Sequence, residues 1–115
     1  MNVRVSTGAD VEIEAGFPTL RGKRVALVAN HTTRCSAGHL ADLLAASQVV
    51  QLTALFAPEH GLSGNEHTQF PSTLHPRLRV PVYSLYGPTL KPMPDMLAQA
   101  DALVFDIQSI GIRYY

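Results

Sequence analysis

The chain has 115 residues, of which 46% are hydrophobic, and its nine basic side chains balance nine acidic ones. This length suits one compact domain with a core of its own. The only basic cluster is Arg21, Lys23 and Arg24, so the chain lacks the positively charged surface of a nucleic-acid-binding protein. Cys35 is the only cysteine, which excludes an internal disulfide or a cysteine-rich metal site.

The amino terminus lacks the features of an export signal. Asp10, Glu12 and Glu14 stand where a signal peptide would have its apolar segment. No apolar run approaches the roughly 18 residues that a membrane span requires. The chain as given therefore predicts a cytoplasmic protein without a membrane partner.

The first half of the chain predicts a strand, a helix and a second strand. Residues 1–23 contain several glycines and read as a loose lead-in with one short helix near residues 9–15. Residues 24–30, RVALVAN, form an apolar run closed by a polar residue, which is typical of a strand buried on both faces. Ser36 can then cap a helix whose leucines repeat at three- and four-residue spacing up to about residue 48.

The second half repeats this alternation after a long loop. Residues 49–56 predict the second strand, whereas residues 61–81 show neither a period of 2 nor one of 3.6, and a loop this long is often functional. A strand at 81–86, a short helix up to about residue 100 and a strand at 102–107 follow. This order predicts one α/β domain with a mostly parallel sheet of about four strands and flanking helices.

Polar side chains follow each predicted strand, where the carboxyl ends of parallel strands form one edge of a sheet. They are Asn30, then Glu59 and His60, then Tyr86, then Asp106 and Gln108. Ligands bind at this edge in α/β sheets, which predicts a site there. The alternative is that each polar residue caps its own strand or bonds to a neighbouring loop.

Glu59 is the candidate for acid or base catalysis. It follows the second predicted strand, and burial beside Phe56 and Leu62 would favour its protonated form, as a general acid requires. His60 could orient Glu59, bond to a substrate or satisfy a turn.

A second pair of an acid and an imidazole, Glu66 and His67, raises the question of a metal site. Together with Glu59 and His60, this pair could supply ligands within nine residues, but the spacing matches no familiar zinc signature such as HExxH. No phosphate loop, GxGxxG or nucleophile elbow is present either. We therefore expect neither a metal nor a cofactor.

The end of the chain has groups suited to sugars. Asp106 ends the last predicted strand, and Gln108, Arg113 and Tyr115 follow it. Planar hydrogen-bonding groups combined with aromatic rings can bind the polar groups and the ring faces of a saccharide. The alternative for this segment is a structural ion pair between Asp106 and Arg113.

Five segments together resemble a known family. They read ALVANHTT (26–33), LFAPEHGLSG (55–64), VPVYSLYG (80–87), KPMPDML (91–97) and LVFDIQSIGIRYY (103–115). In order and spacing they resemble the DUF1343 family, which includes exo-β-N-acetylmuramidases of the NamZ type, over about residues 19–115. The resemblance implies a Rossmann-like catalytic domain that releases terminal N-acetylmuramic acid from peptidoglycan fragments, so that its partner is a peptidoglycan-derived saccharide.

The resemblance also implies roles for individual residues. Glu59 matches the family's catalytic acid. The second catalytic role could be taken by Asp106 or Glu66, by the acetamido group of the substrate itself, or by a group in the absent part of the domain. The motif positions that would line the cleft and bind substrate are Asn30, His60, Gln108, Arg113 and Tyr115, with Glu66 as a further candidate. Thr33 departs from the family pattern NxTG, where glycine is common, so the turn there can differ.

Members of this family are considerably longer than the chain. The resemblance therefore implies that residues 1–115 are the amino-terminal part of a Rossmann-like catalytic domain whose carboxyl-terminal remainder is absent. A sheet truncated soon after Asp106 would leave an unpaired apolar edge, which predicts self-association. The alternative to an active glycosidase is a non-catalytic remnant or a sugar-binding module of the same fold.

Overall fold

The computed structural model describes residues 3–109, so Arg113 and Tyr115 lie outside the described residues. In chain order the elements are α1 (Gly8–Glu14), β1 (Arg24–Ala29), β2 (Arg34–Cys35), β3 (Gly38–His39), α2 (Leu40–Ala46), β4 (Gln51–Ala57), β5 (Thr73–Leu74), β6 (Pro81–Ser84), α3 (Pro94–Leu97) and β7 (Ala102–Asp106). The four predicted strands are confirmed as β1, β4, β6 and β7, and the three predicted helices are present, with α1 close to its predicted residues and α2 and α3 shorter than predicted.

The main sheet of residues 3–109 has five strands in the order β5-β6-β4-β1-β7. Strand β1 pairs in parallel with both β4 and β7, and β4 pairs in parallel with β6. This arrangement confirms the α/β prediction. The sequence did not predict β5, which pairs antiparallel with β6 inside the long loop, because two residues are too few to show a period.

The core lies on both faces of the sheet. Val25, Leu27 and Ala29 of β1 pack on the side of α1 and α2, whereas Ala26 and Val28 pack on the side of α3. All five are buried, which confirms the prediction of a strand covered on both faces. Each fully buried valine or leucine stabilises the fold by about 1.5–3 kcal/mol relative to an exposed one.

The prediction that Ser36 caps the second helix is wrong. Strands β2 and β3 form a small antiparallel hairpin there, and α2 begins only after His39, whose Nδ1 accepts a backbone N–H of the first turn at 3.1 Å. Gly38 has φ +132°, which no α-helix can contain. The N–H of Ser36 instead donates to Asp10 Oδ1 at 2.8 Å, a contact between distant residues that local sequence does not reveal.

The segment before β1, residues 3–23, packs against the rest of the domain. Its helix α1, confirmed close to the predicted residues, has a capping box in which Thr7 and Asp10 bond each other's backbone N–H. Phe17, three residues past the helix end, is buried in the core on the side of α1 and α2. The lead-in therefore contributes to the core rather than lying loosely on it.

Two surface properties bear on partners. Among residues 3–109, no helix has the length and apolar character needed to cross a membrane. Strand β7 lies at an edge of the described sheet, and its Leu103 and Phe105 side chains are exposed. Self-association through this edge stays a prediction.

Candidate active site

The carboxyl ends of the four parallel strands lie at one edge of the sheet. This geometry follows from the parallel pairing, and it brings the residues after β1, β4, β6 and β7 to the same edge. The polar groups that the sequence indicated are therefore neighbours at this edge. They do not, however, form one cluster, because they divide between the two faces of the sheet.

The loop after β1 is a buried hydrogen-bonded clamp. Asn30 Oδ1 accepts from the N–H and the hydroxyl of Thr32, at 2.8 and 2.6 Å. The Thr33 hydroxyl accepts from the N–H of Asn30 at 3.0 Å and donates to the carbonyl of Asp106. The N–H of Gln108 donates to the Thr32 hydroxyl at 2.9 Å. The clamp thus joins the end of β1 to the end of β7.

Asn30 and Thr33 are both fully buried in this clamp. Thr33, which stands at the family's glycine position, uses its hydroxyl to bond two backbone groups. Within residues 3–109 the Nδ2 amide of Asn30 has no hydrogen-bond partner, and a buried unpaired donor is costly. Asn30 therefore shapes the loop, and its contact with substrate stays a prediction.

Glu59 lies in the turn after β4 and lines a cavity of about 510 Å³. The cavity lies on the α3 side of the sheet, since Val28 and Leu85 of that core also line it. Its other walls include Tyr86 and Phe105. Among the described residues Glu59 is the only carboxylic acid in the lining, so one acid faces a largely apolar space of the size that small ligands occupy.

The neighbours predicted for Glu59 were wrong in part. Leu62 packs against the core on the opposite side, with α1 and α2, and Phe56 is fully buried in the sheet below the cavity. The exposed side chains beside Glu59 come from residues that the sequence did not indicate, notably Leu90 and Phe105, which are 72% and 70% exposed. Tyr86 was indicated by its place after β6.

Asp106 lines a different cavity from Glu59. This cavity, of about 440 Å³, is bounded by Gly8 and Glu12 of α1 and by Leu40 of α2. Burial raises the pKa of the Asp106 carboxyl above its ordinary value, and the nearby His39 partly offsets this effect. No described residue donates a hydrogen bond to the carboxylate, so only the nearby His39 offsets the cost of its partial burial.

His60 and Glu66 are engaged with each other through the backbone. The carbonyl of His60 accepts from the N–H of Glu66 at 3.0 Å, and the ring Nδ1 of His60 donates to the carbonyl of Glu66 at 3.0 Å. His60 also has a left-handed backbone, with φ +71°. His60 therefore stabilises the turn, which is one of the roles that the sequence left open. A role in substrate binding stays a prediction.

The remaining site predictions are placed as follows. The Glu66 side chain is exposed and lines a third cavity with Phe70 and His75, away from Glu59. The Gln108 side chain is exposed, while its N–H belongs to the clamp. In residues 3–109 no group of three or more His, Cys, Asp or Glu side chains is arranged to hold a metal ion.

The loops after β1 and β4 pack directly on each other. Gly64 has φ +78°, and a Cβ added to it would lie 2.3 Å from Nδ1 of His31. An added Cβ would therefore force the exposed imidazole ring of His31 to move, on top of the strain of the left-handed backbone. Gly64 of the LSG segment thus permits the observed close contact between the two loops.

These features define an α/β domain with a candidate ligand site at the carboxyl edge of a parallel sheet. The chain belongs to a specific family of such domains, because residues 25–115 match the family model described as "Exo-beta-N-acetylmuramidase NamZ, N-terminal". The resemblance seen in the sequence motifs is thereby confirmed.

Individual relatives agree with this assignment. The chain is 41% identical to the peptidoglycan beta-N-acetylmuramidase NamZ of Bacillus subtilis (strain 168), and the match covers 97% of this chain and 28% of that protein. The chain therefore spans less than a third of the length of this relative.

Two crystal structures of DUF1343 family proteins from Bacteroides fragilis NCTC 9343 share the fold. The first is 41% identical to this chain with a TM-score of 0.85, and the match covers 100% of this chain and 29% of the Bacteroides fragilis chain. The second has a TM-score of 0.75 at 35% identity, with 98% and 28% covered.

Proposed function

We propose that this domain supplies the catalytic acid of a glycoside hydrolase that releases terminal N-acetylmuramic acid from peptidoglycan fragments. Glu59 is the acid, and it protonates the glycosidic oxygen as the leaving group departs. The family supports the reaction class, since the matching relative from Bacillus subtilis is named a peptidoglycan beta-N-acetylmuramidase.

The observation that carries the proposal is the position of Glu59. It follows a parallel strand at the ligand-binding edge and is the only described carboxylic acid lining the 510 Å³ cavity. Tyr86 and Phe105 supply aromatic surface in the same cavity. Apolar walls with a few polar groups that fix orientation are typical of small-molecule sites.

Among residues 3–109 no second carboxylate shares the Glu59 cavity, although the sequence offered Asp106 and Glu66 as candidates for the second catalytic role. Each lines a different cavity from Glu59. Glycosidases of the usual kind hold two carboxyl groups on either side of the scissile bond. We assign the second role to the acetamido group of the substrate itself or to a group outside the described residues.

A second candidate function is a sugar-binding module of the same fold without turnover. The lone carboxylate of the Glu59 cavity favours this reading, because one acid suffices to bind a saccharide but the usual hydrolysis uses two. The two functions differ in whether bound sugar is released as product.

Turnover of a chromogenic aryl β-N-acetylmuraminide distinguishes the two functions. We expect the 115-residue chain to hydrolyse it and Glu59→Gln to reduce kcat about 10²–10⁴-fold, since general-acid catalysis has this magnitude. Glu14→Gln is the matched control: it makes the same change at an exposed acid of α1 that does not line the cavity, and we expect less than about a threefold effect.

Each outcome has a distinct meaning. Turnover that survives Glu59→Gln would show that another residue is the acid. Absence of turnover in the intact chain, combined with binding of N-acetylmuramic acid in a titration, would establish the binding module instead. Absence of both would exclude either function for this chain. Activity lost on addition of a chelator would point to a metal-dependent hydrolase.

A further inference from the structure

A fourth cavity, of about 220 Å³, lies beside α2 and has a largely polar lining. Its walls come from the loop after β1, the β2–β3 hairpin, the start of α2 and the long loop after β4. The charged and imidazole side chains in its lining are His31, Arg34, His39, Asp42, His75 and Arg77. None of them lines the Glu59 cavity, so this pocket, which we name the arginine pocket, is separate from the candidate active site.

The arginine pocket has an excess of positive charge. Arg77 Nη1 contacts Asp42 Oδ1 at 2.9 Å, which engages the one carboxylate in the lining. Arg34 has no carboxylate within ion-pair distance among residues 3–109. An uncompensated guanidinium beside a neutralised pair attracts an anion, not a metal ion.

The two hydrogen-bonded histidines of the arginine pocket differ in what they can offer a ligand. His39 has both ring nitrogens engaged: Nδ1 accepts a backbone N–H at 3.1 Å and Nε2 donates to the carbonyl of Asn30 at 2.8 Å. His75 Nδ1 accepts the N–H groups of Arg77 and Leu78, at 3.2 and 3.0 Å. Because Nδ1 is an acceptor, the ring hydrogen of neutral His75 is on Nε2, which bonds to no described residue.

The donors that remain are therefore suited to an oxyanion. They are the guanidinium of Arg34, the N–H groups of Arg77 that do not contact Asp42, the Nε2–H of His75 and the hydroxyl of Ser63, which also lines the pocket. Burial, and next the charge of Arg77, lower the pKa of His75, so its ring is a neutral donor near pH 7. Asp42, the carboxylate in the lining, is already paired with Arg77 through Oδ1.

We propose that the arginine pocket binds a small oxyanion, a phosphate or a carboxylate group, through Arg34 and Arg77 with His75 and Ser63. The volume fits such a group, since drug-sized ligands occupy about 300–1,000 Å³ and this pocket is smaller. Guanidinium groups bind phosphate and carboxylate in the same forked geometry. The site does not depend on the proposed function of Glu59.

The test is a titration of the 115-residue chain, with inorganic phosphate in one arm and acetate in the other, at pH 7 and constant ionic strength. Histidine ring and arginine side-chain NMR signals report the binding. We expect saturable shifts at His75 and Arg34 in the millimolar range. Saturation in both arms shows a general oxyanion site, whereas saturation in one arm identifies phosphate or carboxylate as the preferred group.

Two variants test whether the pocket itself is responsible. Arg34→Gln removes an exposed guanidinium that makes no ion pair within residues 3–109, and it should weaken binding at least about fivefold, as expected for a charge-assisted hydrogen bond. Arg21→Gln is the control, because it removes the same charge at an exposed position outside the pocket. Equal weakening by both variants, or linear shifts without saturation in both arms, would overturn the proposal.

Discussion

The two ends of the β1–β7 strand pair are held by opposite kinds of interaction. At the amino end, Arg24 and Asp101 form an exposed ion pair with Nη2 to Oδ1 at 2.8 Å, and Asp101 also accepts the N–H of Arg24 at 2.9 Å. At the carboxyl end, the buried hydroxyl of Thr33 bonds both strands, while Asp106 and Asn30 Nδ2 lack partners among the described residues.

This difference indicates where the molecule is built for stability and where for function. At the amino end Arg24 and Asp101 neutralise each other, and hydrogen bonds from Arg24 lower the pKa of Asp101 to about 2. The carboxyl end carries an acid whose pKa burial raises. The shift at Asp101 comes from a structural ion pair, whereas an acid whose ionised form is disfavoured by burial, beside an unpaired polar group, is more frequent at functional sites.

The strongest test of this contrast is Thr33→Val, a change of nearly equal volume at a fully buried position. It leaves the N–H of Asn30 and the carbonyl of Asp106 without their partner. We expect a loss of about 2–4 kcal/mol in the free energy of unfolding, measured with urea, because each buried unpaired group costs about 1–3 kcal/mol.

Thr68→Val is the matched control for this variant. Thr68 is exposed, and its hydroxyl makes one long contact of 3.5 Å, so we expect a change within about 0.5 kcal/mol. A Thr33→Val cost no larger than that of the control would mean that the clamp does not hold the carboxyl end together.

A smaller effect is expected from Gly64→Ala, which probes the contact between the two carboxyl-edge loops. The new Cβ would lie 2.3 Å from His31 Nδ1 at a residue with φ +78°. Gly16→Ala is a close control, because Gly16 has φ +79° and nothing within 4 Å of a Cβ.

Both alanines incur the cost of a left-handed backbone, about 1–2 kcal/mol, in urea unfolding. We expect Gly64→Ala to cost at least about 1 kcal/mol more, because the imidazole must also move. It should shift the NMR signals of the His31 ring, which Gly16→Ala should leave in place. Equal costs and unchanged His31 signals would show that the loops are not in firm contact.

The smallest effects are expected from Asp101→Asn and Asp106→Asn, which should change stability in opposite directions. The pKa of folded Asp101 is lowered to about 2, below its ordinary 3.8, so its contribution is present above pH 3.8 and is lost as the pH falls towards 2. Asp101→Asn should therefore be less stable than the parent chain at pH 7, and this difference should shrink as the pH falls through about 2.

Asp106 has the reverse sign. Its folded pKa is raised above 3.8, so ionisation costs stability at neutral pH and this cost disappears as the pH falls through the folded pKa. Asp106→Asn should be more stable than the parent at pH 7 and equal to it at pH 3, as measured by urea midpoints. A destabilised Asp106→Asn at pH 7 would place this carboxylate among the structural groups instead.

The sequence predicted the parallel sheet because β1 and β4 have long apolar runs. The run RVALVA is apolar at every position after Arg24, which predicts a strand buried on both faces. This prediction does not require knowledge of which strands lie beside it. The same reasoning predicted that Glu59 and Asp106 lie at one edge. It did not predict the start of α2 after His39, because the Asp10–Ser36 contact joins residues far apart in the chain.

The sequence by itself determined the fold class, the family and the edge of the sheet where a site is expected. The tertiary structure alone decided that Glu59 and Asp106 lie on opposite faces. Asp106 still belongs to β7 and shares the face of Val104, whereas Glu59 lies beyond β4, in a turn shaped by the left-handed His60. Side chains alternate between the two faces of a sheet only within a strand. Glu59 lies two residues beyond the end of β4, so the turn decides which face its side chain is on.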